Sequence, residues 1–402
     1  MNKSTASLIL TFVFIAACTA SAQVRVTKGA GHKTTIDWSS FGGSQTPAGA
    51  VFKKTLQDDL VRSGWFMPAA RGQGILVLQG LYEDDGSELS VKCYVLEMQT
   101  RQSYLSKSYR AGSSEARRLA HKVADEIIEA VTGKKGICSG RLVLVGKRTK
   151  TKEIYLCDSD GQGLVQLTKD GKISLAPKWG PDGETIVYTS FLKGYPDVYS
   201  IDVGTGNRTR LAGYPGLNTG ADISPNGREI ALILSKDGNP ELYVKNLRSG
   251  QLTRLTSSTR AAEASPSWSP DGNQIVYVSD QSGTPQLYTI SRDGGRPARM
   301  TSRGSENVAP DWGANGWIAY TTRVGGRYQV CVMDPVSGVA KQITSDDADY
   351  EDPCWAPDGR HLACGRSRQY RSAIYLLDTL GDPPIALLDT QGDWFSPAWS
   401  AK

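Results

Sequence analysis

Pro266-Ser267-Trp268-Ser269-Pro270-Asp271-Gly272 is the stretch that decides the fold, because it does not occur alone. It recurs as Pro177-Lys178-Trp179-Gly180-Pro181-Asp182-Gly183 and as Pro353-Cys354-Trp355-Ala356-Pro357-Asp358-Gly359. Weaker copies are Asp222-Ile223-Ser224-Pro225-Asn226-Gly227 and Pro310-Asp311-Trp312-Gly313-Ala314-Asn315-Gly316, and Pro397-Ala398-Trp399-Ser400 is half a copy. The anchors at 179, 223, 268, 312, 355 and 399 are 44, 45, 44, 43 and 44 residues apart. A period of this length marks a repeat architecture, in which each unit buries its apolar face against its neighbours.

Each period repeats one internal grammar. A turn is followed by an apolar strand: Thr185–Ser190, Glu229–Leu234, Gln274–Ser279, Trp317–Thr322 and His361–Gly365. A strand built around tyrosine or valine comes next: Asp197–Ile201, Glu241–Lys245, Gln286–Ile290, Gln329–Met333 and Ala373–Leu377. A Gly-containing turn leads to a last strand that closes on threonine: Gln251–Thr256, Pro297–Thr301 and Ala340–Thr344. With the Pro-x-Trp segment that makes four strands. Four strands of about 6 residues and four loops of about 5 fill the period, which is the size of a propeller blade.

The turn has its own chemistry. Proline presets φ at its second position, Asp or Asn suits the third, and Gly accepts the left-handed position that follows. These Asp residues therefore read as turn formers rather than catalysts or calcium ligands. The tryptophans read as wedges between neighbouring blades, a task an apolar Ile223 also fulfils. Arg141–Val145, Glu153–Cys157 and Leu164–Thr168 match the second, third and fourth strands of a blade lacking its first, and Phe395–Trp399 is a first strand without a blade. Joining them closes a ring of six and removes an open sheet edge.

The rest of the chain is organised around that ring. Hydrophobic residues are 39% and charged residues 22% of the 402, so global disorder is excluded. A net charge of +5 is too weak to argue for nucleic acid or an anionic membrane. Three histidines, His32, His121 and His361, leave little room for a His-rich metal or catalytic site. Residues 1–22 read as an export signal: Lys3, the apolar Ser7–Ala17, and a cleavage site at Ala20-Ser21-Ala22 that leaves Gln23 first. Ile15-Ala16-Ala17-Cys18 supports a different processing, in which Cys18 is acylated and anchors the protein to a membrane. After residue 22 no apolar run is long enough to span a bilayer. Six cysteines follow the signal and permit 15 pairings; they read as small buried hydrophobes, with room for one or two bridges.

Residues 23–138 lack the repeat and read as a small α/β domain with a partly antiparallel sheet, ahead of a propeller over 139–402. Pro47–Arg62 is a helix with Val51, Leu56, Leu60 and Val61 apolar and Gly64 as its stop. Ile75–Tyr82, Leu89–Met98 and Ser103–Tyr109 read as strands. Ser113 or Ser114 caps a second helix, Glu115–Val131, whose stripe is Leu119, Val123, Ile127, Ile128 and Val131 and whose end is Gly133. Lys134-Lys135-Gly136 reads as a hinge. Gly29-Ala30-Gly31-His32-Lys33-Thr34 lacks the spacing of a phosphate loop and reads as a flexible lead-in.

Four segments together resemble one family. They are Leu56-Gln57-Asp58-Asp59-Leu60-Val61-Arg62-Ser63-Gly64-Trp65-Phe66, the run from Ala124-Asp125-Glu126 to Thr132-Gly133-Lys134-Lys135-Gly136, Ser279-Asp280-Gln281-Ser282-Gly283-Thr284-Pro285-Gln286-Leu287-Tyr288, and Phe395-Ser396-Pro397-Ala398-Trp399-Ser400. In this order they resemble the TolB family, the periplasmic propeller proteins of the Tol–Pal system of Gram-negative bacteria. The resemblance implies a six-bladed propeller joined to a small α/β domain, no enzymatic activity and no cofactor. It implies a periplasmic location and two partners: a Pal-like peptidoglycan-associated lipoprotein at one mouth of the propeller, and a TolA-like inner-membrane protein at the extreme N-terminal segment. The process implied is outer-membrane integrity and constriction at cell division. The sequence departs from the family pattern between Phe66 and Ile75, which is short. Val24-Arg25-Val26-Thr27-Lys28-Gly29 keeps only the start of the TolA-binding pattern.

Propellers of this style also precede the catalytic domain of prolyl-oligopeptidase-type hydrolases, but no G-x-S-x-G elbow occurs here. Such a ring can also bind a small ligand or glycan, or serve as a scaffold adhesin. For a protein partner, the segments leading into each first strand are the candidate surface: Leu217–Thr219, Ala261–Ala264, Ser305–Val308, Asp349–Asp352 and Gln391–Trp394. They are the least repetitive part of each period and converge at one mouth. Asn218, Glu263, Glu306, Asn307 and Glu351 have no duty evident from the repeat and are the expected docking residues. The resemblance adds Val24, Arg25 and Val26 for the second partner.

Overall fold

A computed structural model describes residues 33–390 and 392–400. The signal segment, Cys18 and Val24-Arg25-Val26 lie outside them.

Six four-stranded antiparallel sheets form the ring. Their innermost strands are Ser174–Trp179, Asn218–Ile223, Glu263–Trp268, Asn307–Trp312, Asp349–Trp355 and Asp393–Trp399, which open blades 1 to 6 in that order. Blade 6 is built from both ends of the repeat region. Asp393–Trp399 pairs antiparallel with Arg141–Lys147, Trp399 standing opposite Leu142. The next strands, Glu153–Asp158 and Val165–Gln166, complete it. The fourth strands are shorter than their sequence pattern, because the closing threonine leaves the ladder. Its side chain accepts a third-strand N–H instead: Thr168 from Ile154, Thr256 from Leu242, Thr301 from Leu287 and Thr344 from Val330.

The tryptophans wedge between blades as the repeat implied. Trp179 packs with Val143 and Ala398 of blade 6, Trp268 with Ala231 and Ile233 of blade 2, and Trp399 with Cys354 and Ala363 of blade 5. Indole and backbone N–H groups stitch the same seams. Trp179 Nε1 donates to the Ala398 carbonyl and Trp268 Nε1 to that of Asp222, while the Asp311 carboxylate accepts from Trp355 N. The turn aspartates cap their own turns: Asp182 accepts from the backbone of Glu184 and Thr185. The six described cysteines are buried and free.

The N-terminal domain is a mixed sheet covered by two helices, α1 (Pro47–Arg62) and α2 (Ala116–Thr132). Thr46 caps α1 by accepting from Gly49 N, with Pro47 in the first turn. Its buried stripe is Phe52, Leu56 and Leu60; Val51 and Val61 point outward, correcting the sequence pattern. Gly133, at φ 68°, ends α2 as expected. Ser113 and Ser114 do not cap it. They sit in a 3-10 turn, and the Ser113 hydroxyl bonds Asp84 instead. The sheet also contains Thr34–Asp37, Phe41–Gly43 and Phe66–Pro68, three short strands in parallel pairings that the sequence pattern does not show. Lys134-Lys135-Gly136 is followed by a staple: both Asp125 carboxylate oxygens accept backbone N–H groups, of Cys138 and Ser139. A Cβ on Gly136 would lie 2.1 Å from Asp125 Oδ1, so only glycine passes there.

Removing residues 394–402 would strip Trp394 and Trp399 and leave the Arg141–Lys147 edge unpaired. Trp394 alone is fully buried and meets the Tyr155 ring edge-on at 5.3 Å. Burial of that kind is worth about 3–5 kcal/mol per large aromatic, so the truncated chain is expected to unfold at markedly lower urea. An unchanged urea midpoint would disprove the ring closure as a stabilising element.

Candidate docking face and channel

The two ends of the propeller differ. One end carries the turns after the first and third strands of each blade, and the N-terminal domain docks there. Arg117 of α2 donates to Asp158 and Asp160 on blade 6. Arg360 donates to the Ser63 and Gly64 carbonyls and lies 4.5 Å from the centre of the Trp65 ring. Lys33 pairs with Asp382 at 3.0 Å. Because strands alternate direction, the turns after the second and fourth strands gather at the opposite end, which faces away from that domain.

Beneath this open mouth every innermost strand has the same irregularity. The register with its neighbour slips at the same place in all six blades. The slipped residues are Ala176, Gly220, Ser265, Ala309, Asp352 and Ser396, all with φ between 44° and 59°. Five are not glycine, and the left-handed conformation costs an L-residue roughly 1–2 kcal/mol. The bulges bend each strand around the axis and line a cavity of about 140 Å³ with Pro177, Pro266, Pro310, Pro353 and Pro397. Deeper in, Lys178 Nζ reaches Asp311 Oδ1 at 2.5 Å, and both line a second cavity of about 290 Å³. Burial lifts the Asp222 carboxyl to about 6 despite the nearby Lys178 charge.

The expected docking residues divide sharply. Asn218 and Asn307 are buried and structural, which corrects the expectation that they lack a duty. Asn218 bridges the Tyr214, Gly216 and Pro196 carbonyls and accepts from Tyr214 N. Asn307 donates to Gln286 Oε1 and the Arg303 carbonyl. Glu263 is buried at the start of its strand. Glu306 is half-buried, accepting from the Tyr328 hydroxyl at 2.7 Å and pairing with Arg323. Glu351 alone of the set is exposed. The segments named as loops belong largely to the innermost strands, so their polar groups serve the ladder and its ends. The exposed surface lies instead on the turns after the second strands. There Lys193, Arg327, Arg368 and Arg371 are exposed, and so are Asp237, Asp280, Asp346 and Asp347, so the mouth carries charge of both signs. Exposed apolar side chains interrupt this charge: Ile173, Leu192, Tyr195, Val324 and Tyr370. Ile173 and Leu192 are neighbours, since Phe191 N donates to the Ile173 carbonyl. Leu192 and Tyr195 are legible in the chain as apolar residues in a turn whose counterparts in blades 2 and 3 are polar, and that signal could have pointed to the mouth.

One cluster outside the mouth has metal-binding residue types. Ligand-type atoms of His121, Asp158 and Asp160 lie within 4.8 Å of one another. Arg117 already spans both carboxylates, so a cation is built in. His121 Nδ1 lies 2.6 Å from Asp59 of α1. Burial alone would lower the His121 pKa, but the hydrogen bond and charge of Asp59 outweigh it and hold it above its ordinary value. The arrangement is an ion-pair clasp between the two domains.

A family model described as the TolB beta propeller domain matches residues 128–402. The chain belongs to the TolB family. It is 33% identical over 199 residues to a protein TolB homolog of Chlorobium chlorochromatii, and 32% identical over 173 residues to the Tol-Pal system protein TolB of Desulfosudis oleivorans. These matches cover 49% and 43% of this chain but 44% and 39% of the relatives, so the chain spans less than half the length of each. The crystal structure of TolB from Acinetobacter baumannii superposes with a TM-score of 0.83 at 26% identity, covering 92% of this chain and 97% of that one. Both the N-terminal α/β region and the six-bladed ring are therefore features of the family fold.

Glu263 supplies a pH test of the mouth. Burial raises its carboxyl from 4.5 to about 7. A raised acid favours the folded state while protonated, so that stabilisation is lost as pH rises from about 4.5 through about 7, by roughly 3 kcal/mol. Glu263→Gln is expected to raise the melting temperature at pH 8 and to change it little at pH 4.5, measured by calorimetry. Equal effects at both pH values would refute the assignment.

Proposed function

We propose that this is a non-catalytic, periplasmic interaction protein of the Tol–Pal system. It docks a Pal-like peptidoglycan-associated lipoprotein at the open mouth and engages a TolA-like inner-membrane protein through the segment around Val24-Arg25-Val26. In this role it supports outer-membrane integrity and constriction during division. The observation that carries the reading is the face opposite the N-terminal domain, where Ile173, Leu192, Tyr195, Val324 and Tyr370 stand exposed among charged side chains of both signs around a rigid ring. Separate turns held on one scaffold can together bury the roughly 800 Å² per partner that a stable complex needs. The channel argues against binding of a small ligand. Its two cavities, about 140 Å³ at the mouth and about 290 Å³ around Lys178 and Asp311, are each below the several hundred Å³ that enclose such a molecule.

Surface plasmon resonance between the mature protein and the soluble domain of a Pal-like lipoprotein tests the mouth. Leu192→Ser with Tyr195→Ser is expected to weaken binding at least tenfold with an unchanged melting temperature. Undiminished binding by the folded double variant would move the partner to another face. Deleting residues 23–32 is expected to abolish capture of the TolA-like protein and to spare the lipoprotein. The mass of the exported protein tests the location: a chain starting at Gln23 supports soluble release, whereas a diacylglyceryl group on Cys18 places it on a membrane.

A further inference from the structure

Adjacent blades provide a controlled comparison at the mouth. In blade 4 the second and third strands, Ile318–Val324 and Arg327–Met333, are joined by Gly325-Gly326. In blade 5 the corresponding strands, His361–Arg368 and Arg371–Asp378, are joined by Gln369-Tyr370. Both loops have two residues, with Val324 opposite Arg327 and Arg368 opposite Arg371. Both place their central residues at positive φ, 58° and 84° in the glycines, 50° and 66° in Gln369 and Tyr370. Glycine adopts that turn freely; glutamine and tyrosine do not.

Two further features oppose local stability at the same four residues. Arg368 and Arg371 are direct cross-strand neighbours, and like charges so placed repel. They are drawn apart toward Asp347 at 2.8 Å and Asp389 at 3.6 Å. Tyr370 is fully exposed, with no apolar cover and no hydrogen bond among the described residues. The hairpin keeps its ladder as far toward the mouth as blade 4 does, where Val324 and Arg327 hold the places of Arg368 and Arg371. Its strands have eight residues against six in blades 1 to 3, and the extra two lie at the mouth end. Strain, repulsion and an uncovered aromatic concentrated on one turn have no role in holding the blade, since blade 4 makes the same turn without them. Such local conflicts mark functional positions.

We propose that Tyr370 is the specificity-determining anchor of the docking face. It enters an apolar socket on a protein partner whose rim is acidic, and Arg368 and Arg371 pair with that rim. The inference rests on the mouth being the docking face. A protein fits better than an anionic lipid surface, because Asp346 and Asp347 on the preceding loop, with Asp349 and Glu351 on the innermost strand of the same blade, lie at the base of the hairpin and would repel a sheet of phosphates. A tyrosine on a short, stiff turn brings large contact area with little rotamer freedom to lose.

The test replaces the tip with that of its neighbour. Gln369→Gly with Tyr370→Gly is expected to keep or raise the melting temperature while weakening binding of the Pal-like lipoprotein domain at least tenfold. Tyr370→Phe is expected to stay within threefold of the unaltered protein. Arg368→Glu with Arg371→Glu is expected to slow association and flatten its salt dependence. The inference falls if the glycine variant binds within threefold. If the Leu192 and Tyr195 variant loses binding in that case, the mouth still docks the partner and only the anchor is wrong. If both variants bind normally, the docking face itself is wrong. Tyr370-dependent binding to phosphatidylglycerol vesicles would overturn the assignment to a protein partner.

Discussion

Arg141–Lys147 would be a bare sheet edge, its backbone N–H and C=O groups open to the channel, were it not for Asp393–Trp399. Everything else in the propeller depends on that antiparallel pairing. It completes the sixth blade and gives blade 1 and blade 5 a neighbour on each side. It sets Trp394 against Tyr155 and Trp399 against blade 5, and lets Trp179 reach back to the Ala398 carbonyl. A ring has no end blades, so no blade is left with an exposed apolar face. The cooperativity of the fold follows from this closure rather than from any single sheet.

Closure also forces a geometry on the centre. Six innermost strands converge on an axis too narrow for straight strands, and each bends by a bulge at the same register. Five residues other than glycine hold positive φ there, and the prolines that follow them line the bore. The result is a narrow channel of two small cavities, with the paired Lys178 and Asp311 in its wall. A propeller this narrow at its axis offers its rim rather than its bore, and the exposed apolar side chains of the mouth lie on that rim.

The two ends of the ring have different tasks. One is occupied by the N-terminal domain, held by Arg360 on Trp65, by Lys33 with Asp382, and by Arg117 and His121 against the carboxylates of blade 6. Asp125 fixes the chain as it passes from one domain to the other. The other end is left free, and its turns vary most. A rigid ring with one face covered and one face variable suits a protein that brings partners together.

The repeat by itself determined the blade count, the strand order and the closing strand, because a 44-residue period carries its own turn and strand chemistry in every copy. Helices α1 and α2 were equally legible, from caps and apolar spacing. The three short parallel strands of the N-terminal sheet were not, since three or four residues show no periodicity and their partners are distant in the chain. The docking residues were the least legible. Asn218, Asn307 and Glu263 break the repeat and so looked free for binding, yet burial gave them backbone groups to satisfy or a desolvated carboxyl to hold. Whether a polar side chain faces water or a neighbouring carbonyl depends on how adjacent blades approach each other. Only the tertiary structure decides that, and it buries Asn218, Asn307 and Glu263 while leaving the turns of the mouth exposed.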